Sequence, residues 1–189
     1  ERPVDAVPID DIVAAAGVAK GSFFNHFDDK QQFANAIASE IRRSIEESVT
    51  AVNEGVSDPL QRLTGGMMVA AHFALTQRER VIVLLRGSAA MTARDHPLNA
   101  GLRQDMEATG SARLLRAEAH EAGLLFWLGA CQMLMANLIE RHFDTGQAAL
   151  RMSEVMVLAL TGLGIEPQAA RDLARERSER LVESLRSTD

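Results

Sequence analysis

The sequence predicts an all-α protein: a short helix-turn-helix head followed by a larger helical body. Three observations predict it. Helix-start signatures recur along the chain, apolar residues repeat at i, i+3, i+4 spacing, and period-two alternation of β-branched and aromatic residues is nearly absent, with no Tyr anywhere.

The elements follow in order. Ile9, Ile12, Val13 and Ala16 share one face of a short helix over about 9–16, with Asp10 and Asp11 in its first turn, where carboxylates suit the positive end of the helix dipole. Gly17 stands where the chain must turn left-handed, and Val18 is expected to plug the space between this helix and a two-turn helix at 20–26. A capping-box variant, Asp28 to Gln31, starts a long helix over 29–53. Asp58-Pro59 starts the next, at 58–75, with Pro in the first turn. A box from Thr76 to Glu79 predicts a helix at 77–94, and His96-Pro97 one at 97–121. The remaining helices are expected at 123–143, at 146–163 behind the box Asp144 to Gln147, and at 167–186 behind Glu166-Pro167.

Composition narrows the class. The chain has 189 residues, 47% of them apolar, so a packed core is expected and global disorder is not. No secretory leader pattern is visible and Cys131 is the single cysteine, both of which fit a cytoplasmic location. The net charge of −6 argues against non-specific affinity for nucleic acid. Residues 1–45 carry five basic against seven acidic side chains, so any DNA contact has to come from locally placed cations and backbone amides. The only two lysines, Lys20 and Lys30, both lie there.

Two short helices joined through a glycine turn have the geometry that sets a second helix into the major groove. The run from Asp11 through Ala16-Gly17-Val18, Lys20-Gly21-Ser22-Phe23-Phe24-Asn25-His26-Phe27 and on to Lys30 resembles the DNA-binding signature of the TetR family. The resemblance implies that Lys20, Gly21 and Ser22 open the recognition helix, that Phe24 and Asn25 reach base edges, and that His26 and Lys30 clamp phosphates. Phe23 and Phe27 are expected to pack inward. The sequence departs from the family pattern in three ways. Ala19 replaces the usual capping Ser, Phe24 replaces the usual Tyr, and Glu1 falls where the family's first helix should be ending, so the expected head lacks that helix. The expected division is a DNA-binding domain over 1–45 and a ligand-binding and dimerisation domain over 46–189.

No catalytic constellation is visible in the body. The five histidines are scattered without the i, i+4 spacing of a helical metal site, and there is no phosphate loop or nucleophile elbow. No enzyme, metal or cofactor is expected. The run 122–139 is apolar nearly all round; Gln132, Asn137 and the polar end Glu140-Arg141-His142 disfavour a membrane span. Such a helix in a soluble protein is buried on every face, one side on its own core and the other on a partner chain. The TetR resemblance implies a four-helix homodimer interface from this helix and the next, with Gly129, Met133, Ala136, Asn137, Met152, Met156 and Leu160 as the expected contacts. It also implies a small-molecule effector held in the body. Met68, His72, Met91, Met106, Phe126 and Trp127 are the expected lining, with Met67 and Phe73 beside them, because methionines fill irregular space around varied ligands. The implied function is a ligand-responsive DNA-binding transcriptional regulator, a repressor released from a double-stranded operator. The alternative is a small-molecule-binding dimer of the same fold that has lost DNA binding.

Overall fold

A computed structural model describes residues 7–87, 95–141 and 143–187. The described residues contain nine α-helices and no strand. The head comprises α1 (Ile9–Ala16) and α2 (Lys20–His26), and α3 (Lys30–Val52) joins it to the body. The body follows as α4 (Pro59–Thr76), α5 (Arg78–Arg86), α6 (Ala100–Ser111), α7 (Ala119–Glu140), α8 (Thr145–Leu163) and α9 (Pro167–Arg186).

Local chemistry sets the boundaries. Gly17 closes α1 at φ 67°, in the left-handed region where a side chain would be strained. Asp29 caps α3 by accepting from Gln32 N at 2.7 Å, while Gln32 Oε1 accepts from Asp28 N; the box expected from Asp28 to Gln31 does not form, and Asp29 serves as the cap instead. Asp58 accepts from Leu60 N and Gln61 N, and Asp144 with Gln147 forms the expected reciprocal box. The box at Thr76 does not form. Thr76 ends α4 with its hydroxyl donating back to His72 O, and α5 starts without a side-chain cap.

The expected helix over 97–121 divides. A single 3-10 turn at Pro97–Asn99 leads into α6, which stops at Ser111. Gly110 lies so close to the His120 ring that a Cβ there would be 2.9 Å from Cε1, so α6 and α7 meet tip to tip at this point. Arg113 then takes φ 57°, and Arg116 N donates to Leu163 O at 2.9 Å, tying the connection to the end of α8. The stop signal was Gly110-Ser111, which the apolar spacing on either side outweighed.

The core is built around α4, whose residues from Leu60 to Ala74 are buried on nearly every face against α3, α6, α7 and α9. α7 carries Trp127, Leu134 and Leu138 into the same core. It is long and apolar enough to cross a membrane by length and composition, yet its packing on α4, α5, α6 and α8 accounts for one apolar side. α8 and α9 form a hairpin, pinned to α4 by Arg177. This guanidinium is 1% exposed and donates from Nε to Thr64 Oγ1 and from Nη2 to Gln61 O and Gln61 Oε1. Burial holds its pKa below the usual arginine value, and the neutral acceptors replace its lost hydration.

Close approach of α3 to the end of α5 depends on Gly87. An added Cβ would lie 2.7 Å from Ala38 Cβ, and Ala38 is fully buried. Gly87→Ala is therefore expected to destabilise the fold by about 1–3 kcal/mol, the usual cost of overpacking. Urea unfolding checks it; an unchanged midpoint would show that the two helices separate freely.

Candidate functional site

The head presents α2 outward. Phe23 is the one buried residue of that helix; it packs with Phe27 and Phe33 at ring-centroid distances of 5.4 Å each, and Phe27 meets Phe33 at 5.1 Å. This aromatic cluster fixes α2 on the first turn of α3. Lys20, Gly21, Ser22, Phe24, Asn25 and His26 are all exposed, and nothing lies near Gly21. α2 is thus a short rod with six open positions and one inward anchor. Lys20 Nζ lies 2.9 Å from Asp10 Oδ1, so its charge is already paired within the head.

Two expectations for the head are corrected. Lys30 is half-buried and donates to Val7 O at 2.8 Å, so it ties α3 to the backbone ahead of α1 instead of standing free for phosphate. Val18 is exposed rather than plugging the core; Val13 and Phe23 fill that space instead.

In the body, α3 to α7 enclose a cavity of about 280 Å³. Its apolar wall includes Ile45, Val49, Leu63, Leu84, Leu102 and Trp127. Its polar groups are two ion pairs. Arg42 Nη1 donates to Glu46 one turn on along α3, and Arg42 Nη2 reaches Asn99 Oδ1 at 3.4 Å. Arg62 Nε of α4 donates to Asp105 Oδ1 of α6 at 2.6 Å, while Arg62 Nη1 donates to Asn53 O and Val56 O. Burial raises both carboxyls above their ordinary range. The guanidiniums of Arg42 and Arg62 oppose the shift, and the charge of Asp105 adds to it at Glu46. Burial also pushes the Cys131 thiol in the same cavity up to about 12, so it stays protonated and a poor nucleophile. Asn53, 2% exposed, also lines the cavity, and its Oδ1 has no hydrogen-bond partner.

The third surface is an apolar strip on α7 and α8. Met133 is 67% exposed and Leu158 71%, with Leu125, Phe126 and Leu150 also open. Gly129 has no neighbour within 4 Å of where a Cβ would stand, which leaves the helix flat there. Asn137 Oδ1 is buried without a partner.

Residues 1–37 match the family model described as "Bacterial regulatory proteins, tetR family". The head of this chain is similar to that of TetR-type regulators. A curated relative, the HTH-type transcriptional repressor DhaR of Mycobacterium sp. (strain GP1), is 36% identical over 64 residues; the match covers 33% of this chain and 32% of that protein's length. The crystal structure of RolR without ligand superposes with a TM-score of 0.61 at 19% identity, covering 93% of this chain and 89% of the other. RolR in complex with resorcinol gives 0.60 at 18% identity, covering 90% and 83%. At that identity the superposition establishes a shared all-α fold across head and body.

The effector residues expected from the sequence are dispersed over the body. Trp127 lines the cavity. Met68, like Met67 and Phe73, is buried in the core and not at the cavity. His72 is half-buried away from it, with its pKa lowered by burial. Met106 lines a small crevice beside His120 and Leu124. Phe126 faces outward, its ring against Gly162 on α8. Met91 lies outside the described residues. The polar lining escaped sequence reasoning because Arg42-Glu46 reads as an ordinary i, i+4 surface pair. Arg62 and Asp105 meet only across the fold.

The expected interface residues divide similarly. Met133 is open, and Gly129, Ala136 and Asn137 are half-buried on α7. Met152, Met156 and Leu160 are fully buried within the monomer, which corrects their assignment. They occupy the inward stripe of α8, while Leu150, Arg151, Glu154 and Leu158 form its outer one.

The raised carboxyls carry a testable sign. A carboxyl whose folded pKa exceeds its unfolded value stabilises the fold below the unfolded pKa and loses that contribution as pH rises through the folded one. Side-chain carbon NMR should therefore find Glu46 and Asp105 titrating above the ordinary Glu and Asp ranges, with stability lost across that interval. Midpoints at or below those ranges would mean the ion pairs outweigh burial.

Proposed function

We propose that this protein is a homodimeric, cytoplasmic transcriptional regulator that binds operator DNA through α2 and is released by a small-molecule effector in the α3–α7 cavity. The observation that carries the reading is the exposed rod from Lys20 to His26, held by the aromatic cluster and presented by the left-handed turn at Gly17. DhaR, named a repressor, supports the repressor sense, and RolR, solved with resorcinol, supports an effector of small-molecule size. We assign residues 7–45 of the described chain to DNA and the remainder to effector and dimer. Phe24 and Asn25 read base edges: an Asn amide pairs with adenine, and a Phe ring touches a thymine methyl. Gly21, Ser22 and His26 meet the phosphates, and Lys20 does so on release from Asp10.

The strip of Leu125, Phe126, Met133, Leu150 and Leu158 seats the partner's copy of itself. A two-fold pairing there forms four helices and sets the two recognition helices for successive major grooves, about 34 Å apart. The second reading, a dimer of this fold without DNA binding, draws on the acidic head and on the Asp10–Lys20 pair.

Selection from a random duplex pool with the full chain should enrich two-fold related half-sites. Asn25→Ala should then weaken binding by about 1–3 kcal/mol and relax preference at one position of each half-site. Failure to enrich any sequence at low salt would favour the second reading. For the interface, a Met133→Arg, Leu158→Arg double variant should sediment as a folded monomer, its helicity checked by circular dichroism. A variant that still sediments as the wild-type dimer would place the pairing on another face.

A further inference from the structure

The cavity holds two arginines and two carboxylates, joined as two ion pairs. Arg62 spends Nε on Asp105 and Nη1 on two backbone carbonyls; Arg42 spends its two terminal nitrogens on Glu46 and Asn99. The carboxylates are committed on one side only. Asp105 gives Oδ1 to Arg62 and Glu46 gives Oε1 to Arg42, and no hydrogen bond from the described residues reaches Asp105 Oδ2 or Glu46 Oε2. Asn53 adds an amide oxygen without a partner. The cavity therefore offers at least two open carboxylate acceptors beside the N–H groups of Arg62 Nη2 and the Gln132 amide, and the paired charges sum to zero.

Charge balance excludes ligands of either sign. An anion would leave the balanced set net negative out of water and would meet two open carboxylate oxygens. A cation would leave the balanced set with a net charge out of water, which is costly. A neutral molecule with hydroxyl donors meets the demand without adding charge, because hydrogen bonds to ionised acceptors are the stronger kind. Size sets a further bound. At about 280 Å³ the space lies at the small end of ligand sites, and its apolar wall, with the Trp127 indole beside Leu63 and Leu102, suits one or two fused rings.

We infer that the effector is a neutral, mono- or bicyclic molecule bearing two hydroxyl donors, one received by Asp105 and one by Glu46. This rests on the effector reading of the cavity but not on DNA binding, since it concerns the cavity alone.

The test is calorimetry on the full chain without DNA, using benzene-1,3-diol, 2,7-dihydroxynaphthalene, their dimethyl ethers, benzoate and benzylammonium. At least one diol should bind, and its dimethyl ether should bind about tenfold more weakly or worse. In Asp105→Asn and Glu46→Gln the difference between diol and ether should shrink, a change that a general loosening of the fold would not produce. Thermal melting confirms that each variant is folded. Tighter binding of benzoate or benzylammonium than of either diol overturns the inference, as does a diol–ether difference unchanged in both variants, or no heat from any diol. Failure of operator selection with diol binding intact would sink the regulator reading and leave this one standing.

Discussion

Phe33, on the first turn of α3, packs against Phe23 and Phe27 of the head; about four turns further on, Glu46 and Val49 of the same helix face the cavity. One continuous hydrogen-bonded helix thus carries both an aromatic joint and a cavity wall. No glycine or proline interrupts it, so it has no ready point of bending. In the regulator reading proposed above, this helix is the element that carries a displacement of the wall to the joint and so to the exposed face of α2. The close contact of Gly87 with Ala38 sits between the two ends and limits how α3 can shift against α5.

The electrostatics of the two ends differ in kind. In the cavity, charges are paired and partly withdrawn from water, so each group is sensitive to what is put beside it. At the head they are exposed and screened, and a single ion pair contributes little to folding. Arg177 represents a third situation: a charge satisfied by neutral acceptors, with Thr64 and Gln61 fixing the register of α9 on α4. Its partners lie on the same helix as Arg62, so the hairpin of α8 and α9 supports the cavity from behind.

Much of the fold was legible in the sequence. Asp58, Asp144 and Gly17 act locally, through side-chain caps and a backbone angle, and local chemistry is what a sequence displays directly. The exposed rod of α2 was legible for the same reason. What failed depended on which way a helix turns. Met152, Met156 and Leu160 share an i, i+4 stripe that any amphipathic helix shows; which of two apolar stripes faces a partner is decided by packing with α7 and α9. Phe126 and Trp127 are neighbours in sequence, about 100° apart around α7, so one faces the core and the other the surface. The cavity's polar groups lie on separate helices, and Arg62 with Asp105 is a pair separated by 43 residues that no local pattern joins.

The Asp10–Lys20 pair bears on how such a protein would search a genome. A duplex of arbitrary sequence offers mainly phosphate charge, and this head meets it with its leading cation already neutralised. On the proposed reading, exchanging the Asp10 carboxylate for a phosphate is a near-even trade for Lys20, so this side chain adds little affinity for a duplex of arbitrary sequence.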